Sequence, residues 1–254
     1  MLFLLIRVFP FLLPVTYFIL IKLMFVFHEQ WLMLASVFTG LLIFNFLLLK
    51  YKNQHKRDFL WLLSFAFIYG VTGWIYVLIL ESSWVINLFL LFWSLLYWLY
   101  LEAVFHEFYE TDRQYTFNLR NITLYGNILI IFFLTASLVN FNIFLNFSRW
   151  WLILILFFIY NILIFLAYLK QDLGRPVLVY SVLGSLVLTQ FLGALLFLPT
   201  SFYLISALVA LFYYFFMMLT SLDFRGQLTK NNLIKIFVFF FLVLFILLFS
   251  AKWI

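Results

Sequence analysis

Three side chains able to exchange protons recur at a helical spacing near the middle of the chain. Glu102, His106 and Glu110 follow one another at intervals of four residues, so they lie on one face of an α-helix. Glu107 lies beside them in the sequence. Two carboxylates and an imidazole on one face are groups that bind a divalent metal ion or move a proton in catalysis. Glu102, His106 and Glu110 are therefore the catalytic candidates of the sequence.

The remaining sequence supplies no further ligands for a metal ion at this face. Histidine occurs three times, and the other two residues, His28 and His55, lie far away in sequence. Motifs for nucleotide binding, zinc proteolysis and serine hydrolysis are absent. We therefore predict no metal and no cofactor. The sequence favours a second interpretation of the face, in which a helix emerges among lipid headgroups, where charged residues are ordinary.

The composition indicates the surroundings of this helix. Of 254 residues, 68% are hydrophobic, 24% aromatic and only 9% charged, and the mean hydropathy is +1.19. A soluble domain has about 25% charged residues, so this chain lacks the polar surface that would keep it in water. Phenylalanine alone occurs 38 times, and cysteine is absent. Disulfides, thiolate catalysis and iron–sulfur clusters are thereby excluded.

The apolar residues form nine segments, each near the 20 residues that a membrane-spanning helix needs. We predict an all-α, polytopic transmembrane bundle that forms one domain over residues 1–254, with no soluble domain. The predicted spans are 8–27, 31–50, 59–80, 84–105, 122–140, 150–169, 176–197, 201–221 and 232–251.

The basic residues predict the orientation of these helices. If the helices alternate in direction, eleven Lys and Arg residues fall on one side of the membrane and two, Arg149 and Lys252, on the other. Arg7 and Lys22 lie near the two ends of the first helix and can extend to its two membrane surfaces. Basic loops face the cytoplasm, so the N-terminus is expected there. The net charge of +6 is explained in this way, and nucleic-acid binding has no support.

Amides inside the predicted spans are a second group of candidates. Gln190 follows Thr189 in the seventh span, and Asn45 and Asn161 lie in the second and sixth. We expect such an amide to make an intramembrane polar contact with a neighbouring helix. A place for Gln190 in a substrate path is the alternative.

Several short stretches resemble an uncharacterised family of multi-pass membrane proteins from candidate-phylum bacteria with small genomes. The likeness covers mainly residues 176–254, and it also includes Tyr100-Leu101-Glu102 and residues 115–121. The stretches in the last third are Leu198-Pro199-Thr200-Ser201-Phe202-Tyr203, Leu228-Thr229-Lys230 and Ala251-Lys252-Trp253-Ile254. The resemblance implies a bacterial cytoplasmic membrane and no catalytic residues.

Three functions are compatible with these features. The leading hypothesis is a non-enzymatic membrane subunit or scaffold that binds a membrane protein partner or lipids. A transporter of a small apolar or amphipathic molecule is the second, and it predicts a polar-lined cavity near Gln190. The third is a lipid-modifying enzyme at the interface, which requires Glu102, His106 and Glu110 to converge with donors from another helix.

Overall fold

The computed structural model describes residues 2–51, 59–109, 119–169, 176–224 and 226–250 of the chain. These residues form nine α-helices and contain no β-strand. The helices, numbered in chain order, are α1 Leu2–Val26, α2 Trp31–Tyr51, α3 Phe59–Val77, α4 Ser83–Tyr109, α5 Leu119–Phe144, α6 Arg149–Leu169, α7 Pro176–Leu195, α8 Phe202–Phe224 and α9 Lys230–Ser250. A short 3₁₀ turn, His28–Gln30, connects α1 to α2.

All nine of these helices are long and apolar enough to cross a membrane, so the prediction of an all-α polytopic fold is confirmed. Several helix ends differ from those predicted, and the largest differences are in α1, α4 and α5. Helix α1 begins at Leu2 instead of residue 8. The fourth helix continues to Tyr109, and α5 occupies Leu119–Phe144 instead of 122–140. Hydropathy marks the part of a helix that lies in hydrocarbon, whereas backbone hydrogen bonding continues into polar residues at the membrane edge. The α5–α6 linker is consequently reduced to residues 145–148, where Asn146 takes a left-handed φ of 53°.

The chain divides into two compact units, Met1–Leu124 and Tyr125–Ile254. The prediction of one domain over the whole chain stays a prediction. In the first unit, α1 packs against α2 and α4, and α3 packs against the same two helices. In the second unit, α7 packs against α6 and α8, and α9 packs against α8.

Stacked aromatic rings fill the core of the first unit. The ring of Tyr69 lies 4.1 Å from that of Trp93 and 5.2 Å from that of Tyr97, nearly parallel to both. All three side chains are buried. Because an unpaired hydroxyl is costly in an apolar core, the tyrosines donate to backbone carbonyls of a neighbouring helix. Tyr97 Oη donates to Ala66 O at 3.3 Å, and Tyr100 Oη donates to Leu62 O at 2.8 Å.

Polar contacts between helices hold the second unit together. Asn127 Nδ2 donates to Tyr213 Oη at 2.9 Å and to Leu163 O at 3.1 Å, which joins α5 to α8 and α6. Thr135 Oγ1 and Tyr160 Oη share a hydrogen bond of 2.6 Å between α5 and α6. Helix α9 is peripheral, because none of its residues is buried in the chain.

Candidate functional site

Two of the three catalytic candidates lie together at the C-terminal end of α4. Glu102 and His106 share one helix face, as the spacing predicts, and Glu102 Oε1 lies 3.1 Å from His106 Nε2. Glu110 lies outside the described residues. The rise of an α-helix puts Glu102 about 28 Å from the start of α4 at Ser83, close to the hydrocarbon thickness of a bilayer. This separation suits a pair at the membrane edge.

A third charged residue reaches this pair from another helix. Arg7 of α1 donates from Nη1 to Glu102 Oε1 at 2.5 Å. Its guanidinium also lies over the ring of Phe105, 4.8 Å from the centroid. The sequence predicts Arg7 at a membrane surface but does not indicate this pairing. The signal available was the presence of opposite charges at the same predicted membrane edge, on helices that run in opposite directions.

The exposure of the cluster decides which of its groups can meet a ligand. The side chain of Arg7 is 44% exposed, that of Glu102 22% and that of His106 14%. Beyond them, Phe105 stacks on Tyr109 at 4.9 Å, and partial burial raises the pKa of the Tyr109 hydroxyl. Arg7 is therefore the side chain of this cluster that is most accessible to a ligand. Within the described ranges, no three His, Asp or Glu side chains are grouped closely enough to hold a metal ion.

Helices α1 and α4 run antiparallel, with a polar contact near each end. Arg7 meets Glu102 at one end, and Lys22 Nζ donates to Asn87 Oδ1 at the other. Along both helices the two contacts are fifteen residues apart, or about 22 Å. The two contacts therefore fix the register of this helix pair.

Between the two contacts lies an apolar groove of about 420 Å³. Phe11, Pro14, Val15 and Phe18 of α1 line one wall, and Leu91, Ser94, Leu95 and Trp98 of α4 line the other. The hydroxyl of Ser94 is buried there, and no described residue forms a hydrogen bond with it. One turn beyond Phe11 lies Arg7, and one turn beyond Trp98 lies Glu102, so the groove leads directly to the charged cluster.

Gln190 lies on an exposed face of α7. It makes no hydrogen bond with the residues that the structure describes. Its neighbour Thr189 turns inward and donates to Ser185 O at 2.8 Å. The exposed residues near Gln190 on this helix are apolar: Val179, Val182, Leu183, Leu186 and Val187. Gln190 lies on an outer surface and gives no support to a substrate path, and its intramembrane contact stays a prediction.

The other intramembrane amides differ from one another. Asn161 Nδ2 of α6 donates to Ser185 Oγ of α7 at 3.4 Å, so the expected contact between helices is confirmed for this residue. For Asn45 that expectation is wrong within the described part of the chain, because its buried amide has no hydrogen-bond partner there. The sequence does not single out Asn127, whose amide nitrogen donates two hydrogen bonds to other helices and whose amide oxygen has no partner among the described residues. Asn127 follows several polar residues near the start of α5, so the sequence does not indicate that it is buried.

Comparisons of the chain with protein-family models, curated proteins and solved structures found no match. The resemblance to a family from candidate-phylum bacteria stays a prediction.

Proposed function

We propose that the protein is a non-enzymatic subunit of a membrane assembly, in which a helix of a partner protein packs against the exposed face of α7. The observation that supports this proposal is the position of Gln190. Its amide projects from an otherwise apolar helix face, five residues before the end of α7 or about 8 Å along the helix axis.

Lipid chains cannot form hydrogen bonds with the Gln190 amide. Hydrocarbon offers neither a donor nor an acceptor, so an exposed amide gains free energy when another helix supplies both. Interhelical hydrogen bonds of this kind contribute about 0.6–2 kcal/mol. Gly193 follows Gln190 by almost one helical turn, so both residues lie on nearly the same side of α7. A Cβ atom at Gly193 would meet no other atom within 4 Å. A small residue beside the amide allows a partner backbone to approach closely.

The proposed location is a bacterial cytoplasmic membrane with the N-terminus in the cytoplasm. The support is the predicted excess of basic residues on one side, eleven against two. A partner is then another membrane protein of the same cell.

The test is native mass spectrometry of the protein extracted gently from its own membrane. We expect a stoichiometric protein partner with the wild type, and a 3- to 30-fold weaker complex with Gln190→Leu, the equivalent of about 0.6–2 kcal/mol. Gln227→Leu is the matched control, because Gln227 is also exposed but lies between α8 and α9. The proposal fails if the wild type carries no protein partner or if Gln190→Leu retains it fully.

A second candidate function is a lipid-modifying reaction at the membrane edge. The observation that favours it is the convergence of Arg7 on Glu102 and His106, which supplies a donor from a second helix. In such a reaction His106 would transfer the proton, Glu102 would orient the imidazole, and Arg7 would bind an anionic group. A His106→Gln variant that leaves the membrane lipid composition of its host unchanged would argue against this function.

A further inference from the structure

We infer that the groove between α1 and α4 binds one zwitterionic aminophospholipid, with an acyl chain in the groove and the headgroup at the Arg7–Glu102 pair. The residues involved belong to α1 and α4, whereas the proposed partner face belongs to α7. The lipid site can therefore be tested independently of the proposed subunit function.

The length of the groove matches one leaflet of a membrane. From Arg7 to Phe18, the deepest lining residue on α1, there are eleven residues, which span about 16 Å of helix. Half of the hydrocarbon thickness of a bilayer is about 15 Å. A lipid whose headgroup lies at Arg7 would therefore extend its acyl chain along the groove to about the middle of the membrane. Beyond that point, the hydrogen bond between Lys22 and Asn87 connects the two helices.

The lining of the groove suits an acyl chain. Its walls are aromatic and aliphatic, and the volume of about 420 Å³ lies within the range of small-molecule sites. Pro14 contributes an apolar ring to the α1 wall. The groove is open at the side, so a lipid can enter it from the surrounding bilayer.

The end of the groove carries groups of both signs. Arg7 has five N–H donors in a planar fork that matches the oxygen atoms of a phosphate, and 44% of its side chain is exposed. Glu102 receives both of its hydrogen bonds at Oε1, which leaves Oε2 without a bond to any described residue. Because Glu102 balances the charge of Arg7, net charge does not favour a purely anionic lipid. A headgroup that joins a phosphate to an ammonium group matches both side chains in one molecule.

The acyl-chain part is tested by filling the groove. Val15 and Ile19 are 42% and 49% exposed on α1, one turn apart, but only Val15 lines the groove. The delipidated full-length protein is titrated with phosphatidylethanolamine and examined by native mass spectrometry. We expect one tightly held lipid with the wild type and with Ile19→Trp, and at least tenfold weaker binding with Val15→Trp. The proposed site is wrong if the wild type holds no lipid tightly, or if Val15→Trp binds the lipid as tightly as the wild type does.

The headgroup part is tested with three lipids that carry the same acyl chains. Phosphatidylethanolamine should bind more tightly than diacylglycerol, which lacks phosphate, and more tightly than phosphatidylglycerol, which lacks the ammonium group. Arg7→Gln should remove the preference over diacylglycerol, whereas Arg149→Gln, which removes an exposed arginine at the start of α6, should keep it. Equal binding of diacylglycerol to the wild type overturns the role of Arg7. Tighter binding of phosphatidylglycerol overturns the assignment to a zwitterionic headgroup.

Discussion

At the scale of single residues, the Arg7–Glu102 pair links the two helices that border the groove. Both side chains are partly exposed, so solvent and headgroups weaken their attraction. In a double-mutant cycle of Arg7→Gln and Glu102→Gln, we expect a coupling free energy of about 0.5–1 kcal/mol. The measurement is reversible unfolding of the four proteins in mixed micelles. Additive effects of the two substitutions would mean that the pair contributes nothing to stability.

The orientation of single side chains was the least predictable feature of this chain. Helices that are apolar on every side have no marked polar face, so the sequence does not indicate which side meets a neighbour. Gln190 and Thr189 illustrate the result, because these adjacent polar residues point to opposite environments. The Glu102–His106 contact was predictable, since it lies within one helix and depends only on spacing. The contact with Arg7 depends on which helices are neighbours, and apolar patterns do not specify that.

At the scale of the elements, close approach of α3 to its neighbours depends on two glycines. A Cβ atom at Gly73 would overlap with the indole of Trp93 and the hydroxyl of Tyr17, and one at Gly70 would lie 2.7 Å from the ring of Phe38. These rings are buried in the aromatic core, so they have little room to move. Larger residues at these two positions therefore force the helices apart.

We expect Gly73→Ala to lower the free energy of unfolding by about 1–3 kcal/mol, the usual cost of overpacking a core. Gly40→Ala is the control within the same unit, because a Cβ atom at Gly40 meets no other atom within 4 Å. Thermal unfolding of both variants in the same detergent compares them directly. Equal melting temperatures for Gly73→Ala and wild type would contradict the close packing of α3.

The helices themselves were predictable because crossing hydrocarbon imposes both their length and their composition. Each of the nine predicted spans overlaps one helix in the described residues. The ends of the helices were less predictable, because local hydrogen bonds determine where a helix stops. Gly226, with a φ of +63°, lies just beyond the end of α8, where Gln227 N donates to Leu222 O at 3.0 Å. Hydropathy carries no information about such a cap.

At the scale of the whole molecule, the alternation of helices predicts which connections share a side of the membrane. Five described helices, α4 to α8, lie between Ser82 and Gln227 in the sequence, so these two residues are predicted on opposite sides if each helix crosses the membrane once. The excess of basic residues predicts that Ser82 is outside and Gln227 is in the cytoplasm. Both side chains are exposed in their connections.

The absence of cysteine makes this topology directly testable, because a single introduced thiol is the only one in the chain. In intact bacterial cells, a membrane-impermeant maleimide should label Ser82→Cys, whereas Gln227→Cys should react only after the membrane is permeabilised. The reverse pattern would invert the orientation and place the Arg7–Glu102 pair in the outer leaflet. Labelling of both from the same side would mean that an odd number of the five helices do not cross.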